Sequence, residues 1–166
     1  MKVLVNTSSF PNDNNLISGN FILDQINNLS RLYNNVKFIV CTPGPTIELD
    51  NRNIGIYNFR YFFLKKYENI GVKSFVDLIY ESKLNYLVIV LFSITQFIKM
   101  LQISLKEKPD LIYSHWFLPQ GIISYLIFKI LKIPYKITIH STDLKIFTHN
   151  FGKIGEKIAQ VVLTSS

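Results

Sequence analysis

At 166 residues the chain has the length of one domain, long enough to bury roughly 70% of its unfolded surface without disulfide staples. It is 48% hydrophobic and 17% charged, which excludes a disordered chain, and its single cysteine, Cys41, excludes an internal disulfide and fits a reducing compartment. The net charge of +7 favours an anionic partner (nucleic acid, an anionic membrane surface or a phosphorylated substrate), although a chain so rich in Lys, Asn, Ile and Tyr reaches that balance through compositional bias as well.

In chain order, Lys2 to Asn6 is a short β-rich run suited to a central buried strand. Its apolar run is too short, and too soon succeeded by polar residues, for a signal peptide, so a cytoplasmic place is expected. Thr7 to Ser18 is a polar loop holding Pro11 and several Asn and Asp residues. Gly19 comes next, and the spacing of Ile22, Ile26, Leu29 and Tyr33 predicts a helix to about Tyr33 with one buried face and Ser18 as its N-cap. Val36 to Cys41 is the next strand, Thr42 to Asn53 a loop with Pro43 and Pro45, and Ile54 to Leu64 a further strand. The cluster Arg60 to Tyr67 at its end mixes aromatics with positive charge, fitting either a solvated loop or a contact with membrane headgroups or a lipid-linked substrate.

Val72 to Ser82 reads as a short helix. Leu84 to Leu105 is the most apolar segment, but its continuous run, Tyr86 to Phe92, is short, and Ser93, Thr95, Gln96, Lys99 and Gln102 interrupt the remainder. A core helix covering the sheet is the expectation, and a helix in the membrane interface the alternative. Asp110 to Ser114 is a strand with His115 and Trp116 at its exit. Pro119 suits a helix start, because its missing N–H would have no partner there. Pro134 stops that helix, and Tyr135 to His140 forms a strand with Ser141, Thr142 and Asp143 at its exit. The tail reads as a helix from Lys153 and then a strand, Val161 to Thr164.

The alternation of elements implies an α/β fold: an open parallel sheet flanked by helices. Ligands of such sheets bind beyond the carboxyl ends of the strands, at the point where strand order reverses. If the first and fourth strands are neighbours there, the loops after Asn6, Ser114 and His140 share one pocket. His115 and His140 are the first candidates, since imidazole binds hydroxyls and phosphate near neutral pH, although a lone histidine is also a common structural residue. Asp143 would orient His140 or a substrate hydroxyl, or else cap a turn. Trp116 would stack on a ring, or pack on its own loop. Gly19 opens a helix whose N-terminus suits a phosphate or hydroxyl.

Several familiar sites are missing. The chain has no G-x-G-x-x-G after its first strand, no P-loop, no G-x-S-x-G elbow, and no Cys or carboxylate spacing beside the histidines that would bind zinc. It has no RRM, zinc-finger or helix-turn-helix signature, so nucleic acid is not an expected partner.

Three stretches together resemble the amino-terminal half of family-4 GT-B glycosyltransferases. SSFPNDNNLISGNFILDQINNLS (Ser8 to Ser30) is similar to that family's Pro-x-x-x-(x)-x-Gly-x-Phe pattern, where a glycine-bearing loop leads into the first helix. PDLIYSHWFLPQG (Pro109 to Gly121) resembles its strand ending in His-x-His or a His-Trp variant. IPYKITIHSTDL (Ile133 to Leu144) resembles its Pro-x-x-x-x-x-His-Gly-x-Asp segment, with Ser141 standing where glycine is usual. Order and spacing agree over nearly the whole chain.

The resemblance implies a single Rossmann-like domain over 1–166, the half that handles the acceptor and lines one wall of a cleft. The other half, with its Glu-x₇-Glu type motif, holds most of the nucleotide-sugar and has no counterpart here. Gly19 and Asn20 would lie on the donor-phosphate side. His140 would sit at the reacting sugar with Asp143 in support, and His115, Trp116 and Ser141 would line the substrate site. The implied reaction moves a sugar from a nucleotide-sugar to a hydroxyl of a carbohydrate or lipid-linked acceptor with retention, in surface polysaccharide, glycolipid or lipid-linked glycan synthesis. No cofactor or metal is implied. The partners implied are the missing carboxyl-terminal domain or a partner subunit, and the inner face of the plasma membrane as a peripheral contact. On this reading the chain alone has little or no activity. A non-catalytic subunit of a split transferase is the second hypothesis, and a flavodoxin-like nucleotide-binding or regulatory module the third.

Overall fold

The structure is a computed structural model that describes residues 1–12, 15–64, 67, 68, 70, 78, 82, 84–140 and 142–166, and only the backbone of 142, 143 and 146. Five strands make one all-parallel open sheet: β1 (Lys2–Asn6), β2 (Lys37–Pro43), β3 (Ile54–Phe59), β4 (Leu111–His115) and β5 (Tyr135–Thr138), in the order β3-β2-β1-β4-β5. Among the described residues, four α-helices flank it: α1 (Asn20–Leu32), α2 (Leu84–Glu107), α3 (Ile122–Leu131) and α4 (Thr142–Thr164). The expected α/β fold is therefore observed. The order 3-2-1-4-5 is the doubly wound arrangement, whereas a flavodoxin-like sheet runs 2-1-3-4-5.

The strands form where short apolar runs are bounded by turn residues, and their side chains alternate between two cores. Leu4, Ile39, Cys41 and Ile112 face the layer that holds Phe92, Met100, Ile103, Ile123, Ile127, Ala159 and Val162, from α2, α3 and α4. Val3, Val5, Phe38 and Val40 face α1 through Ile22, Leu23 and Ile26. Each fully buried aliphatic side chain contributes about 1.5–3 kcal/mol to this assembly. Helix α2 buries the stripe Val88, Phe92, Gln96, Met100 and Ile103, so the expected core helix over the sheet is what the fold contains.

The structure corrects several boundaries. Ser18 is not the cap of α1: Gly19 is, in the left-handed conformation (φ 68°), with no side-chain cap bond. A side chain at Gly19 would place its Cβ 2.4 Å from the Ser9 carbonyl oxygen, so close approach of the preceding loop requires glycine there. Tyr33 is exposed, because α1 ends at Leu32 and Tyr33 turns away as its C-cap. Pro119 does not start an α-helix: Phe117–Gly121 is a kinked π-type turn with a cis Leu118–Pro119 peptide bond, and regular α3 begins at Ile122. β3 stops at Phe59 and β5 at Thr138, short of Leu64 and His140.

The tail strand expected at Val161 to Thr164 is helical. Ala159 and Val162, three residues apart, are buried in the core, and the Tyr135 hydroxyl donates to the Val162 carbonyl, so tertiary packing overrides the β-branched pair. Gly152 (φ 50°, ψ −138°) breaks α4 into two segments. The helix expected over Val72 to Ser82 lies outside the described residues except at 78 and 82.

Candidate functional site

The order of strands puts the reversal between β1 and β4, where Asn6 pairs with Ser114 and His115 pairs with Thr138 of β5. The chain leaves β1 into Thr7–Ser9 and β4 into Trp116 at the same edge. Trp116 adopts φ 72°, ψ 148°, a sparsely populated conformation for a side-chain-bearing residue, and its N–H donates to the Thr138 carbonyl at 2.9 Å. That bond extends the β4–β5 ladder one step and turns the chain over the sheet edge.

His115 and His140 meet there. Their rings are nearly parallel (18°) with centroids 5.7 Å apart, and His115 Nδ1 lies 3.4 Å from His140 Nε2. Phe21, in the first turn of α1, lies 5.0 Å from the His140 ring, 5.9 Å from His115 and 6.0 Å from Trp116, centroid to centroid. Tyr113 closes the far side at 4.7 Å from His115, and its hydroxyl is 2.6 Å from Thr138 Oγ1 and accepts from Gln25 Nε2 at 3.1 Å. The result is a cup of five rings at the switch point.

Its members are not equivalent. His115 is fully buried, while His140 and Trp116 are partly exposed and Phe21 is 46% exposed. Burial, and then the neighbouring His140, lower the His115 pKa to about 4, so it is neutral at physiological pH. If its Nδ1 donates to His140, its Nε2 is a buried lone pair; if Nδ1 accepts, Nε2 is a buried N–H. In either tautomer Nε2 has no hydrogen-bond partner among the described residues. His115 thus forms the buried back of the cup, with His140 at its more exposed side.

Of the other residues singled out by sequence, Gly19 is buried against the Ser9–Phe10 backbone, so its role is to seat the loop that enters α1. Asn20 is exposed, and its Nδ2 donates to Asp24 Oδ2 at 3.3 Å. Ser141 lies outside the described residues, and so does the side chain of Asp143, whose backbone is in the first turn of α4. Sequence reasoning did not single out Phe21, which the fold brings against both histidines and Trp116; the Gly-x-Phe spacing carried the only signal for it.

It also missed a buried polar network that fixes the edge from below. Gln96 of α2 donates through Nε2 to Asn6 Oδ1 (2.8 Å) and to the Thr7 carbonyl (3.2 Å). Asn6 Nδ2 donates to the Gln120 carbonyl (3.1 Å), and Ser114 Oγ lies 2.6 Å from Ser124 Oγ. The Gln120 amide orientation that satisfies both of its ends donates to the Leu118 carbonyl (2.9 Å) and accepts from the Ser8 N–H (3.2 Å). These residues are fully buried or nearly so, and together they tie both loops to α2 and α3.

A second feature lies at the same edge, toward β2. A cavity of about 130 Å³ has a mixed lining, with Ser8, Ser9, Asn12 and Ser18 beside Phe10, Pro43, Pro45, Tyr61 and Ile70. Glu68 Oε1 accepts from the Tyr61 and Phe62 N–H groups (2.9 and 3.1 Å), and its Oε2 accepts from Arg60 Nε at 3.2 Å. Arg60 is therefore paired, and Lys65 and Lys66 of its cluster lie outside the described residues. Among the described residues no three His, Cys, Asp or Glu side chains are grouped to hold a metal ion. No protein-family model matches the chain, and no curated protein is similar to it.

Proposed function

We propose that this chain is the acceptor-side half of a retaining glycosyltransferase that uses a nucleotide-sugar. The observation that carries the reading is His140 set between Phe21 and Trp116 at the switch point, backed by a neutral, buried His115. A partly exposed imidazole beside aromatic rings suits a sugar site, since imidazole can hydrogen-bond hydroxyls and an aromatic face can meet the apolar face of a sugar ring. In the transfer, the anomeric carbon–phosphate oxygen bond breaks, the nucleoside diphosphate leaves with the electron pair and takes up the acceptor hydroxyl's proton, and a bond from the acceptor oxygen to the anomeric carbon forms. His140 would position the transferred sugar, with Asp143 in support. Gly19 and Asn20 would stand on the donor-phosphate side, and the cavity of mixed lining beside β2 would take the acceptor. The partner half, in the same frame or encoded separately, would grip the nucleotide.

Sequencing the coding DNA beyond codon 166 tests this reading. A downstream α/β unit with paired glutamates, and a sugar-transfer activity of the longer product that His140→Ala abolishes, is the expected result. A stop at that point, with no separately encoded α/β partner recovered on the chain by pull-down, would remove it.

A further inference from the structure

Helix α2 is apolar on both sides. Opposite its buried stripe run Leu87, Val90, Ile94, Ile98 and Leu105, each 48–58% exposed. On the neighbouring α3, which contacts α2, Leu126 and Ile130 are also exposed. Of the polar residues that interrupt α2, Ser93 and Thr95 donate back to the Ile89 and Leu91 carbonyls (2.8 and 2.7 Å), Gln96 is buried in the network under the switch point, and Gln102 is exposed between Ile98 and Leu105. The charges that these two helices carry are mostly basic. Helices α2 and α3 carry Lys99, Lys106, Glu107 and Lys129. Glu107 is engaged from both sides, by the Tyr57 hydroxyl at 2.7 Å and Lys2 Nζ at 3.3 Å. Lys99 and Lys106 lie along the β3 flank, over the Tyr57 ring at 5.9 and 5.3 Å.

We infer that the outward face of α2 seats this protein on an anionic membrane surface. A 24-residue helix is about 36 Å long, and exposed apolar residues recur along it from Leu87 to Leu105, with Gln102 among them. The helix lies in the plane of the surface and does not span it, because spanning would expose Phe92, Gln96 and Met100, which are fully buried in the core. An interfacial helix takes this form: an apolar stripe sunk at the headgroup boundary with lysines beside it. The net charge of +7 opposes burial of the same face against a second copy and favours anionic lipid. The inference rests on α2 alone and is independent of the transfer reading.

Vesicle flotation of the full 166-residue chain tests it. Binding to phosphatidylglycerol-containing vesicles is expected, with little binding to pure phosphatidylcholine and a decline with added salt. Ile94→Ser with Ile98→Ser should cut partitioning about tenfold or more, with the circular-dichroism melt unchanged. Should that pair disturb folding, Lys99→Gln with Lys106→Gln, both at the surface, reads the electrostatic part, at about fivefold per lysine. Absence of vesicle binding, equal binding by wild type and both variants, or a solution dimer that the isoleucine pair abolishes without vesicle binding would each overturn the inference.

Discussion

His115 Nδ1 and His140 Nε2 lie 3.4 Å apart, between rings that stack at 18°, yet one ring is buried and the other reaches solvent. Burial first, and His140 second, hold the His115 pKa near 4, against an ordinary value of 6.5. A protonated His115 is thus disfavoured in the folded chain and not in the unfolded one. Above pH 6.5 neither state binds the proton, and this site leaves stability unaffected. As pH falls from 6.5 toward 4 the unfolded state gains the proton first, and about 3 kcal/mol of stability is lost. Urea unfolding at a series of pH values should show that decline, and His115→Phe should flatten it. An equal slope in the variant would mean that other groups cause it.

Gly19→Ala should destabilise the fold by about 2 kcal/mol or more, since it combines a left-handed backbone with a Cβ 2.4 Å from the Ser9 carbonyl oxygen. The loss appears in the urea midpoint. A change below about 0.5 kcal/mol would show that the Ser9–Phe10 loop yields freely, and that this edge is less fixed than described.

Gln96→Leu fits the shape of α2 but leaves the buried Asn6 Oδ1 and Thr7 carbonyl without the Gln96 donor. The expected cost is roughly 2–4 kcal/mol. Amide exchange at Thr7 and Ser8 should accelerate more than exchange in the central strands, because the network fixes the loop after β1 specifically. Uniform acceleration would reduce Gln96 to a general stability residue.

The strands were legible because each is a compact apolar run between turn residues, and the pairing of the first strand with the fourth is the common doubly wound arrangement. The two histidines were legible as candidates because both stand at strand exits. What separates them was not: His115 is buried and His140 partly exposed, which follows from the β4–β5 register and the Trp116 turn rather than from local sequence. Gln96 looked like a polar break in an apolar helix, and its partner Asn6, 90 residues away, made it a core residue. Val161 to Thr164 looked like a strand because local preference was all there was to read, and the seat beneath Tyr135 is a tertiary feature. Phe21 carried no chemistry by type; its value comes from lying within 6.0 Å of three other rings.

The most direct test of a sugar site at the switch point is a histidine-ring nuclear magnetic resonance titration of the full chain with nucleotide-sugars and simple glycans. The expected result is a saturable shift of the His140 ring, a smaller one at His115, and none at His149, with Phe21→Ala weakening the interaction about tenfold without changing the unfolding midpoint. Ligand binding that leaves His140 unmoved, or that survives unchanged in His140→Ala, would contradict the assignment of the site.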